Sequence, residues 1–480
     1  MLKQRRSLNS APTPSCGGLS VNQKDHMDYA VELDIAVKPT TPVPNLGAEY
    51  GYYVGAGNPL FSVGGGVLRT ALKHVLHKYH ARKGYYVVET PIIARTTLYE
   101  LTGHLKFYKE NMFLLNIEGD EYAIKPMNCP FHVLIFMNLL QKYSSKVKLP
   151  FKIFETGTVH RYEIAGALRG LLRVRAFTQD DAHLFSPEEH VEASLMEVFE
   201  MMKDVYEKLF YIPVTSETVK LRLSLSDKSK IGEEFMGEPE MWEFAEEKLF
   251  KVAEEVKRKY GIEFFAEEGE AAFYGPKLDV VVYEEGGKEW QIGTAQFDFN
   301  LPKRFKLHEL IKETHGLDAN LYMIHRALLG SLERFLGIYL EMFKGRLPFS
   351  LAPLQVLVIE ITTGNEEVDK KIKELSSKVV NSLKENEIRV ASLTSTKTHL
   401  SRDVRKVEST VKPPLILYIG GREAEESAVV ARPYDHNKRR REQMKLKADE
   451  VLKVIEEMER GVVELAGAPV RVPADPSYMV

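Results

Sequence analysis

The strands of this chain come without the helices that a parallel sheet needs between them. Strand-like runs appear at YYVVETP, EYAIKP, FKIFETGTVH, RAFTQDDAHLF, KLDVVVYE and EWQIGTAQFDF, all between residues 85 and 299. Most alternate, and few are followed by a helical pattern at the βαβ spacing that parallel pairing requires. Helical patterns fall at about 67–83, 130–143, 187–208 and 240–259, the first closed by Gly84, a helix-stop residue. Residues 46–347 therefore predict an α+β core, a largely antiparallel sheet flanked by helices, rather than a doubly wound fold.

The rhythm changes at 348–352, PFSLA. Beyond it come strand LQVLVIEI, helix 366–385, strand IRVASL, helix 399–409, strands LILYIGG and SAVVAR, and helix 446–460. Residues 353–465 thus predict an α/β domain with a mostly parallel sheet, and 466–480 a C-terminal tail. Residues 1–45, rich in Ser, Pro and Thr and running out through KPTTPVPN, read as tail or linker with one strand at 28–37.

Composition excludes several classes. The net charge of −3 carries no global nucleic-acid signature, so such a partner must be met by local patches. No apolar run approaches the roughly 20 residues that span a bilayer. The two cysteines, Cys16 and Cys129, lie far apart, which argues against a disulfide framework and for a reducing, cytoplasmic compartment. The acid-poor start with Arg5 and Arg6 faintly suggests a transit peptide, but SAPTPSCGG breaks any amphipathic helix.

Residues 173–185, RVRAFTQDDAHLF, carry the densest chemistry. As a strand, one face holds Arg173, Arg175, Phe177, Gln179, Asp181 and His183, and the other Val174, Ala176, Thr178, Asp180, Ala182 and Leu184. Phe177 to Asp181 spans roughly 13 Å at about 3.3 Å per residue, the reach of a nucleotide joined to an amino acid. A solvated sheet face is the plain alternative, but such a face seldom needs Phe, two Arg and His on one side.

Three further groups stand out. Cys129 in KPMNCPFH, His183, and His325 in LYMIHRALLG have the chemistry of a zinc site with an open fourth position. Spacing alone does not separate that reading from a buried Cys and two structural His, and His132, His160 and His190 compete. HRYE brings Arg161, a bidentate phosphate donor, and Glu163, an acceptor for an exocyclic amine, near Phe177, which can stack on a base. Arg334 lies beside the apolar face of GSLERFLGIYLEMF and must either meet a ligand or pair with a carboxylate such as Glu333 or Glu341. YGPK contributes Tyr274 and Lys277. In WQIGTAQFDF, Gln291 and Thr294 have opposite parity and share a pocket only if Gly293 hosts a bulge. Neither a Walker nor a Rossmann glycine motif follows a strand, and Gly64–Gly66 lack the rest of either.

Together these stretches resemble a class II aminoacyl-tRNA synthetase, and specifically the threonyl-tRNA synthetases, over about 58–460. Pro91 resembles the motif 1 proline of the dimer interface, HRYE with RVRAFTQDDAH motif 2, and LLGSLERF motif 3. TGH (102–104), KPMNCP, FTQDDAH, AFYGPK, WQIGTAQFDF and MIHRA, in that order, carry the threonine-specific likeness. The resemblance implies that Cys129, His183 and His325 hold one zinc ion per subunit. Arg161 would grip the α-phosphate and carboxylate, Glu163 read adenine, Phe177 and Arg334 sandwich the base, and Arg173 reach the outer phosphates. Gln179, Asp181 and Tyr274 would surround threonine, with Lys277, Gln291 and Thr294 completing the pocket. Magnesium would accompany ATP, and Arg405, Glu423 and Arg432 would read the anticodon. The basic run Lys438 to Arg441 reads as a backbone-phosphate contact or a solvated helix start.

Activation of threonine by ATP and transfer to tRNA(Thr) by a homodimer follow as the expected function. The large N-terminal editing region of familiar threonyl enzymes finds no match before residue 46. The chain so resembles a catalytic-only form, expected not to clear Ser-tRNA itself and to rely on a separate trans-editing protein. Phe131 departs from the glycine usual after NCP and bears on the packing of the Cys129 turn. A non-catalytic, RNA-binding paralogue is the rival from another class. A prolyl or seryl enzyme is the nearer rival, although proline has no use for a side-chain-coordinating metal.

Overall fold

The computed structural model describes residues 24–284 and 287–480. Residues 1–23, with Cys16, Arg5 and Arg6, lie outside the described residues.

Eight strands form the main sheet: β1 (Tyr86–Val87), β2 (Phe151–His160), β3 (Ala176–Pro187), β4 (Val219–Leu225), β5 (Phe264–Glu268), β6 (Lys277–Tyr283), β7 (Glu289–Asp298) and β8 (Leu321–Ser331). Their order is β1-β2-β3-β8-β7-β6-β4-β5. Only the outer pairs β1–β2 and β4–β5 are parallel, so the sheet is largely antiparallel, as the missing crossover helices require. Helices Val63–Arg82, Val191–Lys208, Pro239–Tyr260 and Leu332–Met342 bury their apolar residues in the large core on one face. Cys129–Tyr143 packs on the other, where Val133, Phe136 and Leu140 meet Phe151 and Phe185. EYAIKP joins instead a small sheet of 93–95, 113–117 and 120–124.

The C-terminal domain has strands Val356–Thr362, Val390–Thr396 and Leu415–Ile419 in parallel, extended by antiparallel Ala428–Asp435. Cores lie on both sheet faces. The last helix begins at Val451, because 444–447 pairs with 428–431 as a further strand.

Four expectations are corrected. Residues 28–37 are not a strand. Asp25 accepts the N–H groups of Met27 and Asp28, at 2.8 and 3.0 Å, and starts helix His26–Glu32. Nor is the stretch from Lys24 onward a free tail. His26, Met27, Tyr29 and Ala30 are buried, and His26 Nδ1 lies 2.9 Å from Glu341. Helix 63–82 starts four residues earlier than its apolar period suggests, because Gly64 and Gly65 lie against the carbonyls of Asp34 and Ile35, where a Cβ would collide. The expected C-terminal tail is also tied down. Val470 is buried, Arg471 pairs with Glu459, and Val472 O accepts from Arg389 at 3.0 Å.

Candidate active-site cleft

Antiparallel register sets two rows of side chains across one face of the sheet. Lys277 lies opposite Gln296, Gln296 opposite His325, and His325 opposite His183. Two residues along each strand, Asp279, Thr294, Ala327 and Asp181 form the second row. Side chains two apart share a face, so the rows make the floor of a cleft of about 420 Å³. That volume suits a small ligand.

Helix Cys129–Tyr143 brings its first residue to this floor. One ligand atom each from Cys129, His183 and His325 lie within 4.8 Å of one another, and all three residues are buried. The far nitrogen of each ring is engaged: His325 Nε2 lies 2.8 Å from Asp298 Oδ2, and His183 Nδ1 lies 2.7 Å from His132 Nδ1. His183 Nε2 and His325 Nδ1 face each other at 3.0 Å. Burial pushes the His183 imidazole well below the usual histidine range, helped by the His325 and His132 rings, which favours the neutral ligating form. Burial pushes the Cys129 thiol up, as do Asp181 and Asp298. A cation would reverse that by stabilising the thiolate. Two imidazoles and a thiol, with carboxylate support behind one ring, fit zinc in a site that keeps an open position.

Gln179, Asp181, Tyr274, Lys277, Thr294 and Arg161 line the same cleft. Asn128 donates to Asp181 at 2.9 Å, the Tyr274 hydroxyl donates to Gln296, and the Tyr274 ring stacks on His325 with centroids 4.6 Å apart. Burial raises the Asp181 carboxyl, against the pull of His132 and Asn128. Lys277 Nζ stands 3.6 Å from the buried Asp279.

The residues expected to meet a nucleotide are spread more widely. Arg161 lies over the Phe177 ring at 5.1 Å. β3 begins at Ala176, so Arg173 and Arg175 are not on its face but in the preceding loop. Arg173 pairs with Glu163, at 2.9 and 2.8 Å, and Arg175 is tied to Glu163 O and Ala56 O. Glu163, Arg173 and Phe177 do not line the main cleft. β7 shifts register between Gln291 and Gly293, and Gln291, Thr294 and Arg334 then line one cavity of about 190 Å³. Gln291 also accepts from Arg222 at 2.7 Å. Arg334 pairs with neither Glu333 nor Glu341: Glu333 is taken by Arg69 and the Thr178 N–H, Glu341 by Lys288 and His26.

In the C-terminal domain Arg405 is exposed on helix Leu400–Ser409, Glu423 accepts the Gly420 N–H at 3.1 Å, and Arg432 lies over Tyr418 at 6.0 Å. The basic run is partly spent on structure. Arg441 is buried against Glu408 and the carbonyls of Pro413, Pro414 and Arg432, and Lys438 pairs with Asp435 and Glu442. Phe131 is buried, with Lys125 Nζ 5.8 Å from its ring centre.

Sequence reasoning missed Gln296, Asp298 and Asn128, and it offered His132 as a rival ligand where the structure places it behind His183. The first two share the parity of Thr294 in WQIGTAQFDF, so alternation pointed to both. Asn128 flanks Cys129, and nothing in its neighbours marks its reach to Asp181.

Residues 113–343 match the family described as tRNA synthetase class II core domain (G, H, P, S and T), and 355–458 the Anticodon binding domain. A "Threonine–tRNA ligase catalytic subunit" of Aeropyrum pernix is 52% identical over 471 residues, 96% of this chain and 100% of that protein. A "Threonine–tRNA ligase" of Aquifex aeolicus is 39% identical over 393 residues, covering 81% of this chain and 57% of that longer protein. A crystal structure from Aeropyrum pernix described as a threonyl-tRNA synthetase superposes with TM-score 0.91 at 52% identity, over 95% of this chain and 100% of that one. A Giardia lamblia prolyl-tRNA synthetase shares the fold, with TM-score 0.63 at 14% identity over 92% of this chain and 79% of that one.

Proposed function

The chain belongs to the threonyl-tRNA synthetases of class II, and from that premise we propose how its own residues activate threonine. The enzyme is a threonine–tRNA ligase. The carboxylate of threonine attacks the α-phosphate of ATP and the bond to pyrophosphate breaks. The terminal ribose 3′-hydroxyl of tRNA(Thr) then attacks the carbonyl carbon of the adenylate, losing its proton as the anhydride bond breaks and AMP leaves. Positioning and charge neutralisation are the protein's share of this chemistry.

Cys129, His183 and His325 are the residues that would hold zinc. When bound, zinc supplies a Lewis-acid position that takes the amine and hydroxyl of threonine together. Asp181, beside the His pair, accepts from the N–H groups of the substrate amine, Gln179 and Tyr274 border its side chain, and Lys277 closes the far end of the floor. Arg161 spans the carboxylate and the α-phosphate, since it lines the threonine cleft and lies over Phe177. Phe177 and Arg334 take the two faces of adenine, with Gln291 and Thr294 beside the ribose and phosphates. Class II synthetases use ATP with Mg²⁺. Glu163 and Arg173 now hold each other, so they part when Glu163 meets adenine and Arg173 the outer phosphates.

Arg405, Glu423 and Arg432 read the anticodon. A second copy docks where edge strand β1 and the segment around Pro91 leave Tyr86, Val87, Ile92 and Ile93 exposed. No helix of the described residues is long and apolar enough to cross a membrane. A thiol needed as a metal ligand suits the reducing cytoplasm. A partner that clears mischarged serine in trans completes the reading. The rival, a non-catalytic paralogue, would have no need of the Arg161, Arg334 and Cys129–His183–His325 set, all of which is kept.

The convergence of Cys129, His183 and His325 beside Asp181 carries this reading. It is tested by amino-acid-dependent ATP–pyrophosphate exchange with metal content measured in parallel. One zinc per chain, strong exchange with threonine, weaker with serine and none with valine are expected. Serine lacks only a methyl, worth roughly 1–3 kcal/mol, whereas valine cannot supply the second ligand. Exchange that rejects valine in metal-free protein overturns the assignment of the ligands.

A further inference from the structure

We infer that His132 is a positioning residue of this centre: it accepts the Nδ1 proton of His183 and so turns Nε2 of that ring toward the metal. The inference deepens the metal reading proposed above and rests on it. Cys129 and His132 are three residues apart in the first turn of helix Cys129–Tyr143, so they lie on neighbouring positions of one face. One turn thus brings in a ligand and the residue behind another ligand.

The tautomers are constrained. His183 ligates through Nε2 only if its proton sits on Nδ1. His132 Nδ1 lies 2.7 Å from that atom, with the two rings edge to face at 83°. It must therefore be bare, and a neutral His132 then carries its own proton on Nε2. The nearest carboxylate to that nitrogen is Glu155, whose Oε1 stands 3.6 Å away. That arrangement suits the contact between the two rings. It points the Nε2 proton of His132, which has no hydrogen-bond partner among the described residues, at the Glu155 carboxylate as an electrostatic rather than a hydrogen-bonded neighbour.

Glu155 is itself fixed. It accepts the backbone N–H of Thr90 at 3.1 Å and the Thr90 hydroxyl at 2.9 Å, and Lys125 Nζ lies 3.4 Å from it. His132, Glu155 and Lys125 are each at most 3% exposed, so water does not substitute for these contacts. The row also explains a glycine. At Gly157 on β2 a Cβ would lie 2.6 Å from Glu155 Oε1 and from Asn128 Oδ1. Only a residue without a side chain leaves room for both the His132 tether and the Asn128 bond to Asp181. Outer-shell partners of this kind typically set metal affinity by about 10–100-fold.

The test uses the full chain with His132→Leu, His132→Asn and Glu155→Gln. Metal affinity is read by chelator competition, and ligand geometry by the thiolate charge-transfer and d–d absorption of the cobalt-substituted protein. His132→Leu is expected to lose about 10–100-fold in affinity and to change the d–d bands. His132→Asn, whose Oδ1 replaces Nδ1 as acceptor, is expected to restore both. Wild-type affinity and spectrum in the Leu variant, or an Asn variant as weak as Leu, overturn the inference. Should the Leu variant not fold, Glu155→Gln decides: a loss of about tenfold supports the tether, and unchanged affinity overturns it. A wild-type chain that takes up no zinc, or a Cys129→Ser variant that binds it as tightly, overturns the centre itself and the tether with it.

Discussion

One oxygen of Asp298 stands 2.8 Å from Nε2 of His325 while the other accepts the backbone N–H groups of Asn300 and Leu301, at 2.7 and 3.0 Å. A carboxylate accepts at both ends, so the proton of His325 is held on Nε2 and Nδ1 is left bare. The same side chain thus takes up the first two backbone N–H groups of the helix at 300–304.

Asp298→Asn separates these roles, because one end of an amide must donate. With its nitrogen toward His325 it requires a bare Nε2, moves the proton to Nδ1 and blocks the ligand atom. With its oxygen there, the nitrogen confronts two backbone donors. Metal affinity is expected to fall about 10–100-fold, read by chelator competition. Equal affinity in variant and wild type would show that Asp298 does not set the His325 tautomer.

The N-terminal segment makes a sharper claim on stability. Gly65 N–H donates to Asp34 O and Ser62 N–H to Ile35 O, each at 3.0 Å, and a Cβ on Gly65 would overlap Ile35 O. Gly65→Ala must push residues 33–36 off the helix and should cost about 1–3 kcal/mol or more in denaturant unfolding, with faster proteolysis near residue 35. Gly66→Ala is the control. Nothing lies within 4 Å of its Cβ position, so it should gain up to about 1 kcal/mol from helix propensity. Equal effects at the two sites would mean that the close packing seen here is not what holds the segment.

Much of this was legible from alternation. Parity alone put Gln179, Asp181 and His183 on one face and made the joint use of Gln291 and Thr294 depend on a bulge at Gly293, where β7 does shift register. Parity could not see where a strand begins. Arg173 and Arg175 fit the period, yet Arg169 and Arg173 pair across a turn and the Arg175 N–H donates to Gly57 O before the ladder starts. LYMIHRALLGS escaped as a strand because β8 is central and buried on both faces, so its run does not alternate. DYAVELDIAV alternates well enough for a strand, but the Asp25 cap and burial against helix 332–342 decide for a helix. The supporting shell of His132, Asn128 and Asp298 depends on which strands become neighbours, and no local pattern encodes that.

Arg334 should trade stability for activity. Ser331 accepts its backbone N–H at 3.2 Å and places it in the first helical turn. Its guanidinium reaches Leu172 O at 3.4 Å and lies 5.9 Å from the Trp290 ring centre, and among the described residues no carboxylate pairs with it. Burial lowers its pKa, and Arg173 adds to this, so the native state carries a partly buried cation whose only neighbours of opposite polarity among the described residues are a carbonyl and a ring face. Arg334→Leu is expected to raise the unfolding midpoint slightly and to cut threonine-dependent pyrophosphate exchange by about 10²–10³-fold. Arg334→Lys keeps the charge without the planar fork and should fall between. A Leu variant with near-normal exchange removes Arg334 from the nucleotide site.

The domain junction carries a pH dependence. His436 of the C-terminal domain stacks on Tyr211 of the core, centroids 4.6 Å apart and 8° from parallel. Burial pushes the imidazole down to about 4, against the backbone of Leu347, which acts the other way. In the unfolded chain a histidine titrates near 6.5. Because the folded pKa is the lower one, the junction favours the neutral ring. The stabilisation is complete above about pH 6.5 and is lost as pH falls toward about 4, at up to about 1.4 kcal/mol per pH unit. His436→Phe keeps an aromatic face on Tyr211 and removes the titration. Denaturant unfolding of both proteins at steps from pH 7 to 4 should give a curve about one proton shallower for the variant. Curves that stay parallel would mean that the ring is hydrated and titrates normally, and that the junction opens before the rest of the chain unfolds.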